Sequence, residues 1–404
     1  MYVLVINSGS SSIKFSLFRV DTRAAVASGS VSRIGEAGPY LDYSGPKGAY
    51  RKDIESPTHA DALDSVLRAL RDPDDGVLDS LDDIQAVGHR VVHGGSVIRQ
   101  SVLIDDAVVD QVKDLIPLAP LHNPPNLVGI IDCRNLLPDT PQVAVVDTSF
   151  HQTMPAHAYM YAIPYNMYEQ YGLRRYGFHG SSYRYVSRRA ATMLGQQPQD
   201  LRMVICHLGN GSSVAAVMHG RSIDTSMGMT PLEGLVMGTR SGDIDAGLVL
   251  SLCSNRVGLA PEEVDRMLNK ESGLLGISGV SNDVRELSAH AAAGDLRCML
   301  ALDMYAYRIK KYIGAYAAAM GGIDALVFTA GIGENSTEVR ASICNGLGFL
   351  GIAVDPESNS AARGEEADIT AEAAGVRVLV VPTDEEMIIF EDTLMLTQAV
   401  NASA

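Results

Sequence analysis

Short apolar runs recur along the chain, and each ends in small, polar or charged residues. The runs at 85–92, 142–147, 325–330 and 376–382 contain few polar positions. They therefore predict strands that are buried on both faces, as in a sheet covered by helices. Because predicted helices alternate with these strands, the pattern indicates an α/β fold. The predicted helices lie near 58–71, 105–116, 124–137, 182–194, 245–254, 295–320 and 385–400.

Two segments share one design of strand, small polar turn and strand. They read VLVINSGSSSIKF at 3–15 and MVICHLGNGSSVAAVMHG at 203–220. Because about half of the chain separates them, the sequence predicts two copies of one α/β unit. The 404 residues also exceed the roughly 250 to 300 at which a single core stops growing. We predict one domain over 1–150, a second over 151–385, and a C-terminal helix, 386–404, that packs back onto the first.

The polar turn of the first segment resembles a phosphate-binding P-loop, whose pattern is G-x-x-x-x-G-K-[ST], only in part. Gly9 is its one glycine, and the residues after Lys14 alternate as in a strand. The turn therefore joins two strands. Small side chains let backbone N–H groups approach an anion closely, but Ser and Gly are also common in turns that bind nothing. This segment alone leaves both interpretations open.

Composition and charge exclude several classes of partner. The formal net charge of −16 opposes binding to nucleic acid or to an anionic membrane. No apolar run approaches the length of about 18 residues that a membrane span needs, and the first residues form a strand rather than a basic leader. The five cysteines show neither zinc-site nor disulfide spacing. We expect a cytoplasmic protein with reduced cysteines.

Ligands of open α/β sheets gather at the carboxyl ends of the strands. Six predicted strands end in the segments NSGSS, HGG, DTSFH, HLGNG, GIGEN and TDEE. The sequence therefore predicts an active-site cleft between two domains, built largely from loops.

Two arginines are candidates for binding an anion. Arg90, in GHRVVHGG, has apolar neighbours that predict partial burial, and a buried guanidinium needs a carboxylate or phosphate partner. Arg240, in MGTRSGDID, lies among small and acidic residues. The alternatives are a surface ion pair for Arg90 and a salt-bridged loop for Arg240.

His179 precedes a predicted helix whose N-cap we assign to Ser181 or Ser182. The helix dipole opposes protonation of a histidine at this end, while nearby backbone N–H groups attract anions. A capping or packing histidine is the alternative.

Acidic residues follow two predicted strands. Asp147 ends QVAVVD, and Glu385 and Glu386 lie in TDEEM. Carboxylates at such positions often hold Mg²⁺ through water, because this ion keeps part of its hydration shell. Thr383 and Glu386 also have capping-box spacing, so one acid has a purely structural alternative.

FTAGIGENS, at 328–336, predicts a strand, a glycine turn and a helix that Ser336 caps. Such a turn suits the close approach of a phosphate or a flat purine. The pattern is weak alone and gains weight from HLGNGSS and SNDVREL, which we expect in the same cleft.

The motifs VLVINSGSSSIK, AVGHRVVHGG, HNPPN, RRYGFHGSS, HLGNGSS, GTRSGD, FTAGIGENS and PTDEE resemble the acetate kinase family, in order and over essentially the whole chain. The resemblance implies the duplicated, ribonuclease H-like fold of the sugar kinase, actin and heat-shock chaperone superfamily, with a nucleotide-binding second domain and usually a homodimer. It also implies the reaction of ATP and acetate to ADP and acetyl phosphate, with Mg²⁺ or Mn²⁺ as cofactor.

Carried over residue by residue, the resemblance implies the following roles. Asn7 and Glu385 are metal-associated, Asp147 organises the metal and the phosphates, and Arg90 holds the carboxyl substrate. His179 and Arg240 stabilise the transferring phosphoryl group. One departure is Asp384, where the family commonly has Asn, which leaves open whether Glu385 alone faces the metal. The apolar substrate pocket corresponds to Val92, Leu121, Phe178 and Pro231, and the nucleotide-contacting residues to Lys14, His207, Leu208, Gly209, Asn210, Gly211, Asp283, Val284, Arg285, Gly331, Ile332, Gly333, Glu334 and Asn335.

A direct in-line transfer of the γ-phosphoryl group fits these residues. Acetate is ionised at neutral pH by analogy with carboxyl side chains, so no general base is needed. Another short-chain acyl kinase, such as a propionate kinase, is the nearest alternative, and a nucleotide-gated binding module of the actin type is a second. His122, in LAPLHNPPN, resembles an active-site histidine of the family, with a packed loop histidine as its alternative. The roles of His93 and His151 are left unassigned.

Overall fold

The computed structural model describes residues 1–254 and 256–401. Within them the chain forms fourteen strands and fifteen α-helices. The strands are β1 Tyr2–Ser8, β2 Ser12–Arg19, β3 Ala25–Ser32, β4 Tyr40–Gly45, β5 Gly48–Asp53, β6 Ile84–Val91, β7 Val102–Leu103, β8 Gln142–Val146, β9 Arg202–Leu208, β10 Ser212–Met218, β11 Arg221–Thr225, β12 Ala325–Thr329, β13 Ala367–Asp368 and β14 Arg377–Val380. The helices are α1 His59–Leu70, α2 Asp106–Asp114, α3 Asn123–Leu136, α4 Ala156–Tyr159, α5 Tyr165–Tyr171, α6 Gly180–Met193, α7 Ala246–Cys253, α8 Pro261–Lys270, α9 Gly273–Ser278, α10 Val284–Ala292, α11 Leu296–Ala319, α12 Ala330–Asn335, α13 Thr337–Cys344, α14 Pro356–Ala361 and α15 Glu385–Asn401.

The chain divides into two units. Unit 1 contains Met1–Ser149 together with the chain from Glu385 onward, and unit 2 contains Phe150–Asp384. Each unit has its own sheet and its own hydrophobic core.

The sheet of unit 1 has the strand order β5-β4-β3-β2-β1-β6-β8-β7, and β1, β6 and β8 are parallel. Alternate residues of β1 serve two different cores. Leu4 and Ile6 pack with α1 on one face, whereas Val3 and Val5 pack against α15 on the other. Both faces are covered, which is why this strand lacks the polar alternation of a half-exposed one.

A glycine lets α15 lie close to the sheet of unit 1. A Cβ atom on Gly88, in β6, would stand 2.3 Å from Oγ1 of Thr393 and 2.6 Å from Cγ2 of Ile389. Those distances are too short for a side chain, so only glycine allows this packing. The helix is thereby held over β1, β6 and β8.

The sheet of unit 2 has the order β11-β10-β9-β12-β14-β13. Its β9, β12 and β14 are parallel, and β9 and β10 form an antiparallel hairpin. The same order and directions occur in unit 1 as β3-β2-β1-β6-β8-β7. This correspondence confirms the duplicated α/β fold that the two similar hairpins predict. Helix α6 covers one face of the sheet, and α11 packs on the other.

No helix in the described part of the chain is long and apolar enough to cross a lipid bilayer. All five cysteines are free thiols, four of them buried and Cys253 exposed.

Candidate functional site

Five polar side chains gather where the strands of unit 1 end beneath α15. In β1, β6 and β8 every second residue faces α15. At the carboxyl ends this alternation places Asn7, Arg90 and Asp147 on the same face. Lys14 on β2 is the register partner of Asn7, and Glu385 is the first residue of α15. Because the side chains of paired residues lie on the same face of a sheet, these five groups share one edge. We call them the Arg90 cluster.

Arg90 and Asp147 form a bidentate ion pair. The guanidinium donates from Nη2 to Oδ2 at 2.6 Å and from Nε to both carboxylate oxygens at 3.1 Å. The side chain of Asp147 is 2% exposed and that of Arg90 is 22% exposed. Burial raises the pKa of Asp147 although the charge of Arg90 opposes this. Burial also disfavours the charge of Arg90, yet the carboxylates of Asp147 and Glu385 raise its pKa above the usual value.

The adjacent residues Glu385 and Glu386 have different partners. Oε2 of Glu385 lies 3.8 Å from Nε of Arg90, so this carboxylate belongs to the Arg90 cluster. Glu386 instead accepts a hydrogen bond of 2.5 Å from the hydroxyl of Ser16. The hydroxyl of Thr383 donates to Ser182 at 2.8 Å. Thr383 and Glu386 therefore both have partners other than those of the capping box.

The Arg90 cluster offers oxygen donors that suit a hard cation. The amide oxygen of Asn7 and the carboxylate of Glu385 are of this kind, whereas both oxygens of Asp147 accept from Arg90. No three His, Cys, Asp or Glu side chains converge as a metal site within residues 1–254 and 256–401. Mg²⁺ often binds through one or two carboxylates, water and substrate phosphates, and this donor set fits that mode.

Two asparagines of HNPPN tie the strand ends of unit 1 together. Asn126 donates from Nδ2 to the carbonyl of Ser8 at 2.7 Å and accepts from the N–H of Val92 at 3.0 Å. Asn123 accepts from the N–H of His93 at 3.1 Å and donates to its carbonyl at 3.0 Å. The start of α3 thereby holds the exits of β1 and β6, which carry Asn7 and Arg90. HNPPN was recognisable as a motif from the sequence, but no role was predicted for its asparagines.

The predicted apolar substrate residues belong to both units. In unit 1, Val92 is half-buried and Leu121 is 53% exposed. In unit 2, Phe178 is buried and Pro231 is half-buried. His122 directly precedes α3. Burial raises the pKa of Asp147, and a positive charge on His122 would act in the opposite direction.

Unit 2 holds a stacked pair of histidines over its sheet. The rings of His179 and His207 have centroids 4.0 Å apart and an interplanar angle of 21°. Nδ1 of His207 is 2.8 Å from the hydroxyl of Ser182, and Nδ1 of His179 is 2.8 Å from that of Ser213. The hydroxyl of Tyr183 lies 2.5 Å from Ser213. In each imidazole, Nδ1 is therefore hydrogen-bonded to a serine hydroxyl.

His179 is the N-cap of α6, which differs from the prediction. The helix starts at Gly180, and its N-cap is His179 in the left-handed conformation, with φ of 59°. The predicted N-caps Ser181 and Ser182 are therefore wrong, since both lie inside the helix. Asn, Asp and His tolerate left-handed backbone better than other residues with side chains, and local hydroxyl spacing does not reveal such a cap.

His151 supports the backbone just before His179. Its Nε2 donates to the carbonyl of Phe178 at 2.9 Å, and its Nδ1 is 2.7 Å from the hydroxyl of Ser222. A Cβ on Gly177 would stand 2.7 Å from Cδ2 of His151. Burial lowers the pKa of His151 to about 4. This histidine is therefore a neutral structural support of the segment.

Arg240 is a partly buried cation in unit 2 without a carboxylate partner in the described part of the chain. Its Nη1 lies 3.3 Å from the carbonyl of Pro231 and 3.9 Å from Sδ of Met237. Burial lowers the pKa of Arg240. The predicted alternative of a salt-bridged loop is wrong, because its acidic neighbours do not pair with it. A guanidinium of this kind can bind an anion.

Arg240 and His179 face the same glycine. A Cβ on Gly211, in the turn between β9 and β10, would lie 3.5 Å from Nη1 of Arg240 and 3.8 Å from Nε2 of His179. The bare glycine thus leaves room beside two nitrogen donors. We call His179, His207, Gly211, Ser213 and Arg240 the Arg240 cluster.

Asn210 links the glycine turn to the loop of Arg240 and to the predicted nucleotide segment at 283–285. Its carbonyl accepts from the N–H of Gly238 at 2.9 Å, and its Oδ1 accepts from Nδ2 of Asn282 at 2.8 Å. Asp283 follows as the N-cap of α10. Arg285 is 91% exposed and pairs with Asp283 at 2.6 Å. The turn, the Arg240 loop and the start of α10 are therefore neighbours.

The predicted glycine turn at 331–335 is a short helix. Helix α12 runs over Ala330–Asn335, and its first residue, Ala330, has a left-handed φ of 62°. Nδ2 of Asn335 donates to the carbonyl of Gly331 at 2.9 Å. Ser336 caps α13, as predicted.

A fully buried arginine that the sequence did not flag supports α12. Nη1 of Arg340 donates to the carbonyls of Gly333 and Glu334, each at 2.9 Å. Nη2 donates to the carbonyls of Asn359 at 2.9 Å and Ala362 at 2.8 Å. Burial lowers the pKa of Arg340 to about 10. This side chain satisfies carbonyl groups and is a structural bridge.

The duplicated sheets place this chain among the two-unit α/β proteins. Arg90 near a strand end of unit 1 and Arg240 in a loop of unit 2 are guanidinium groups of the kind that bind small anions. The Acetokinase family model matches residues 2–391. The chain therefore belongs to the acetokinase family, and the resemblance stated from its motifs is confirmed.

Individual relatives are similar to this chain over nearly its full length. The acetate kinase of Phocaeicola vulgatus is 52% identical over 98% of this chain and 99% of its own. The crystal structure of Porphyromonas gingivalis acetate kinase has 47% identity and a TM-score of 0.93, over 98% of this chain and 99% of that one. A propionate kinase from Francisella tularensis has 41% identity and a TM-score of 0.91, with the same coverage. These likenesses confirm the predicted fold class.

Proposed function

We propose that this protein is an acetate kinase, which transfers the γ-phosphoryl group of ATP to acetate. A carboxylate oxygen of acetate forms a bond to the γ-phosphorus while the bond from that phosphorus to the bridging oxygen of ADP breaks. The products are acetyl phosphate and ADP, and the reaction is reversible. The observation that carries the proposal is the partly buried Arg240, which has no carboxylate partner among the described residues and faces Gly211 beside His179.

Unit 2 would bind the phosphoryl donor. The glycine turn at 209–211, the start of α10 and α12 would take the nucleotide, as the family resemblance implies. Arg240 and Nε2 of His179 would donate to the oxygens of the transferring group. Because charge spreads over three oxygens in a loose transition state, such donors accelerate transfer by electrostatic stabilisation and positioning.

Unit 1 would bind the acceptor. Nη1 of Arg90 has no hydrogen-bond partner among the described residues, and the side chain is 22% exposed. It can donate to a carboxylate while Nη2 and Nε stay on Asp147. Acetate is already ionised at neutral pH, so Asp147 need not act as a base. We infer that Asp147 orients Arg90 instead.

Asn7 and Glu385 would hold Mg²⁺, or Mn²⁺, through oxygen donors. The ion would supply positive charge to the nucleotide phosphates. Lys14, the register partner of Asn7, would add a further cation at this edge. The predicted cleft between the two domains stays a prediction.

Propionate is a second candidate acceptor, because the Francisella tularensis relative is named a propionate kinase. One extra methylene in an apolar pocket is worth only about 1–3 kcal/mol. Measuring kcat/KM for acetate, propionate and butyrate decides between the two.

A coupled assay of ADP formation, with and without acetate, tests the proposed function. Trapping the product as a hydroxamate shows whether an acyl phosphate forms. Acetate-dependent ADP and hydroxamate in equal amounts would support the proposal. ADP formation that does not depend on acetate would overturn the proposed function and favour the nucleotide-gated binding module.

We also propose that the protein is a cytoplasmic homodimer, as the family resemblance implies. Leu296, Leu300 and Tyr307 are exposed on one face of α11, and an exposed apolar stripe favours association. Sedimentation equilibrium measures the mass in solution, and a monomer at micromolar concentration would contradict the dimer.

A further inference from the structure

Two buried groups and the half-buried His179 form a continuous hydrogen-bonded chain in unit 2. The hydroxyl of Tyr183 is 2.5 Å from Oγ of Ser213, which is 2.8 Å from Nδ1 of His179. Tyr183 and Ser213 are both 0% exposed. Tyr183 lies on α6, and Ser213 lies on the face of β10 that packs against that helix.

The phenol proton sets the direction of this chain. Within the described residues, Ser213 is the one hydrogen-bond partner of the Tyr183 hydroxyl. Burial raises the pKa of Tyr183 well above its usual value, so the phenol keeps its proton. If Ser213 donated to the phenol oxygen, the phenol proton would be buried without an acceptor, which is costly. The phenol therefore donates to Ser213.

The direction determines which nitrogen of His179 carries hydrogen. Once Ser213 accepts from Tyr183, its own proton points to Nδ1 of His179. That nitrogen must then be the acceptor, and a neutral imidazole carries its one proton on the other nitrogen. Nε2 is the atom that lies near Gly211 and Arg240.

We propose that Tyr183 and Ser213 are positioning residues that hold His179 as its Nε2–H tautomer, so that it donates to a phosphoryl oxygen beside Arg240. The inference rests on the proposed function for its consequence, and on the hydrogen-bond geometry and the burial of Tyr183 and Ser213 for the tautomer. The opposite tautomer would aim a lone pair at an anionic oxygen and repel it.

The stacked ring of His207 is held by a similar relay. The hydroxyl of Thr383 donates to Ser182 at 2.8 Å, which leaves the proton of Ser182 to donate to Nδ1 of His207 at 2.8 Å. The two relays reach the stacked imidazoles through their Nδ1 atoms. The plane of His179 is therefore fixed by stacking as well as by hydrogen bonding.

The tautomer is measurable in the whole protein without substrate. Nitrogen-15 NMR of labelled histidine distinguishes protonated from bare ring nitrogens, and a His179→Gln variant identifies the signals of His179. In the unaltered chain we expect Nε2–H and a bare Nδ1. Tyr183→Phe keeps the ring packing but removes the phenol that polarises the Ser213 hydroxyl, so we expect the Nε2–H tautomer to be less dominant than in the unaltered chain. A wild-type spectrum with Nδ1–H, or a Tyr183→Phe spectrum without change, would overturn the proposal.

Serine variants supply a matched pair. Ser213→Ala removes the relay, whereas Ser212→Ala removes a hydroxyl that bonds Gly209 and Tyr305 on the opposite face of β10. We expect a mixed tautomer in the first and the Nε2–H tautomer in the second. Equal spectra would count against the relay.

Kinetics separate the relay from the proposed function. A donor present in only part of the population lowers kcat in proportion to that fraction, so an even mixture of tautomers should lower kcat by about twofold, with little change in the KM for acetate. The Tyr183→Phe/Ser213→Ala double variant should lose no more than Ser213→Ala, because the groups act in series. Additive losses would contradict the relay. An unaltered enzyme that shows Nε2–H but no acetate-dependent ADP would overturn the proposed function and leave the tautomer assignment standing.

Discussion

Both carboxylate oxygens of Asp147 accept hydrogen bonds from the guanidinium of Arg90, at 2.6 to 3.1 Å. These three hydrogen bonds use most of the roughly four lone-pair sites of the carboxylate. Its effect is to hold two of the three guanidinium nitrogens and to direct the third, Nη1. The pair therefore serves as one anion-binding unit.

Arg90→Ala should mainly raise the KM for acetate, because the fork that holds the acid is lost. We expect at least a tenfold rise with the KM for ATP changed less than threefold, by analogy with the roughly 1.5–3 kcal/mol of a hydrogen bond to a charged group. Arg90→Lys keeps the charge without the fork and should recover only part of the affinity. Steady-state kinetics with each substrate varied measure both constants, and an unchanged KM for acetate would contradict the role of Arg90.

Asp147→Asn distinguishes two roles of the carboxylate. If Asp147 orients Arg90, the defect should not depend on Mg²⁺ concentration. A tenfold or greater rescue by excess Mg²⁺ would instead favour the metal-organising role that the family resemblance implies. The same titration on the unaltered enzyme is the control.

Arg240→Ala should be nearly inactive. A single arginine on the transferring phosphoryl group is worth about 10³–10⁵ in rate in other phosphoryl-transfer enzymes. Single-turnover measurement of ADP formation detects such residual rates. Arg266→Ala is the matched control, because Arg266 forms an exposed ion pair with Glu271 and should retain full activity. A near-normal kcat in Arg240→Ala would show that this cation does not meet the phosphoryl group.

Asn126→Ala should destabilise unit 1 and weaken catalysis together. The carbonyl of Ser8 and the N–H of Val92 would lose their partner, at a cost of about 1–3 kcal/mol in the free energy of unfolding. Asn135→Ala, an exposed site on the same helix α3, is the matched control. Urea unfolding followed by circular dichroism gives the stability, and kcat/KM for acetate gives the effect on the strand ends. Equal stability of the two variants would mean that the link between β1 and β6 is dispensable.

Stability should fall as the pH is lowered from 7 to 5. Burial lowers the pKa of both His89 and His151 to about 4, while in the unfolded chain each takes a proton near its usual pKa of about 6.5. Between these values the unfolded state binds more protons, so acidification favours unfolding. At about 1.4 kcal/mol per pKa unit, each histidine contributes a loss on the order of 2 kcal/mol at pH 5.

Urea midpoints at pH 7.5 and pH 5.0 measure this loss. His89→Gln should show a smaller difference between the two pH values than the unaltered chain. His290→Gln, at an exposed position of α10, should show the same difference as the unaltered chain. Identical pH dependence in all three proteins would contradict the role of His89.

The sequence predicted those parts of the molecule that depend on local pattern. Apolar runs located the parallel strands, and the similarity of the two hairpins revealed the duplicated sheet order. Arg90, Asp147 and Glu385 were expected at strand ends, and the structure brings them together. Their common face follows from the alternation of each strand, which the sequence contains.

The remaining features depend on contacts between distant positions. Asn126 reaches a carbonyl 118 residues away, and Ser213 reaches His179 through the packing of α6 on β10. Acidic residues surround Arg240 in sequence, yet within the described part of the chain no carboxylate pairs with it. A left-handed backbone at His179 is likewise set by the fold and has no marker in local hydroxyl spacing.

The position of α15 has a consequence for synthesis on the ribosome. The helix that covers β1, β6 and β8 and supplies Glu385 is translated only after the whole of unit 2. A nascent chain can therefore complete its second sheet while the first one still exposes Val3 and Val5 to water. Any chain that stops before this helix carries a finished unit 2 beside an uncovered apolar surface, and it is a natural target for chaperones and proteases.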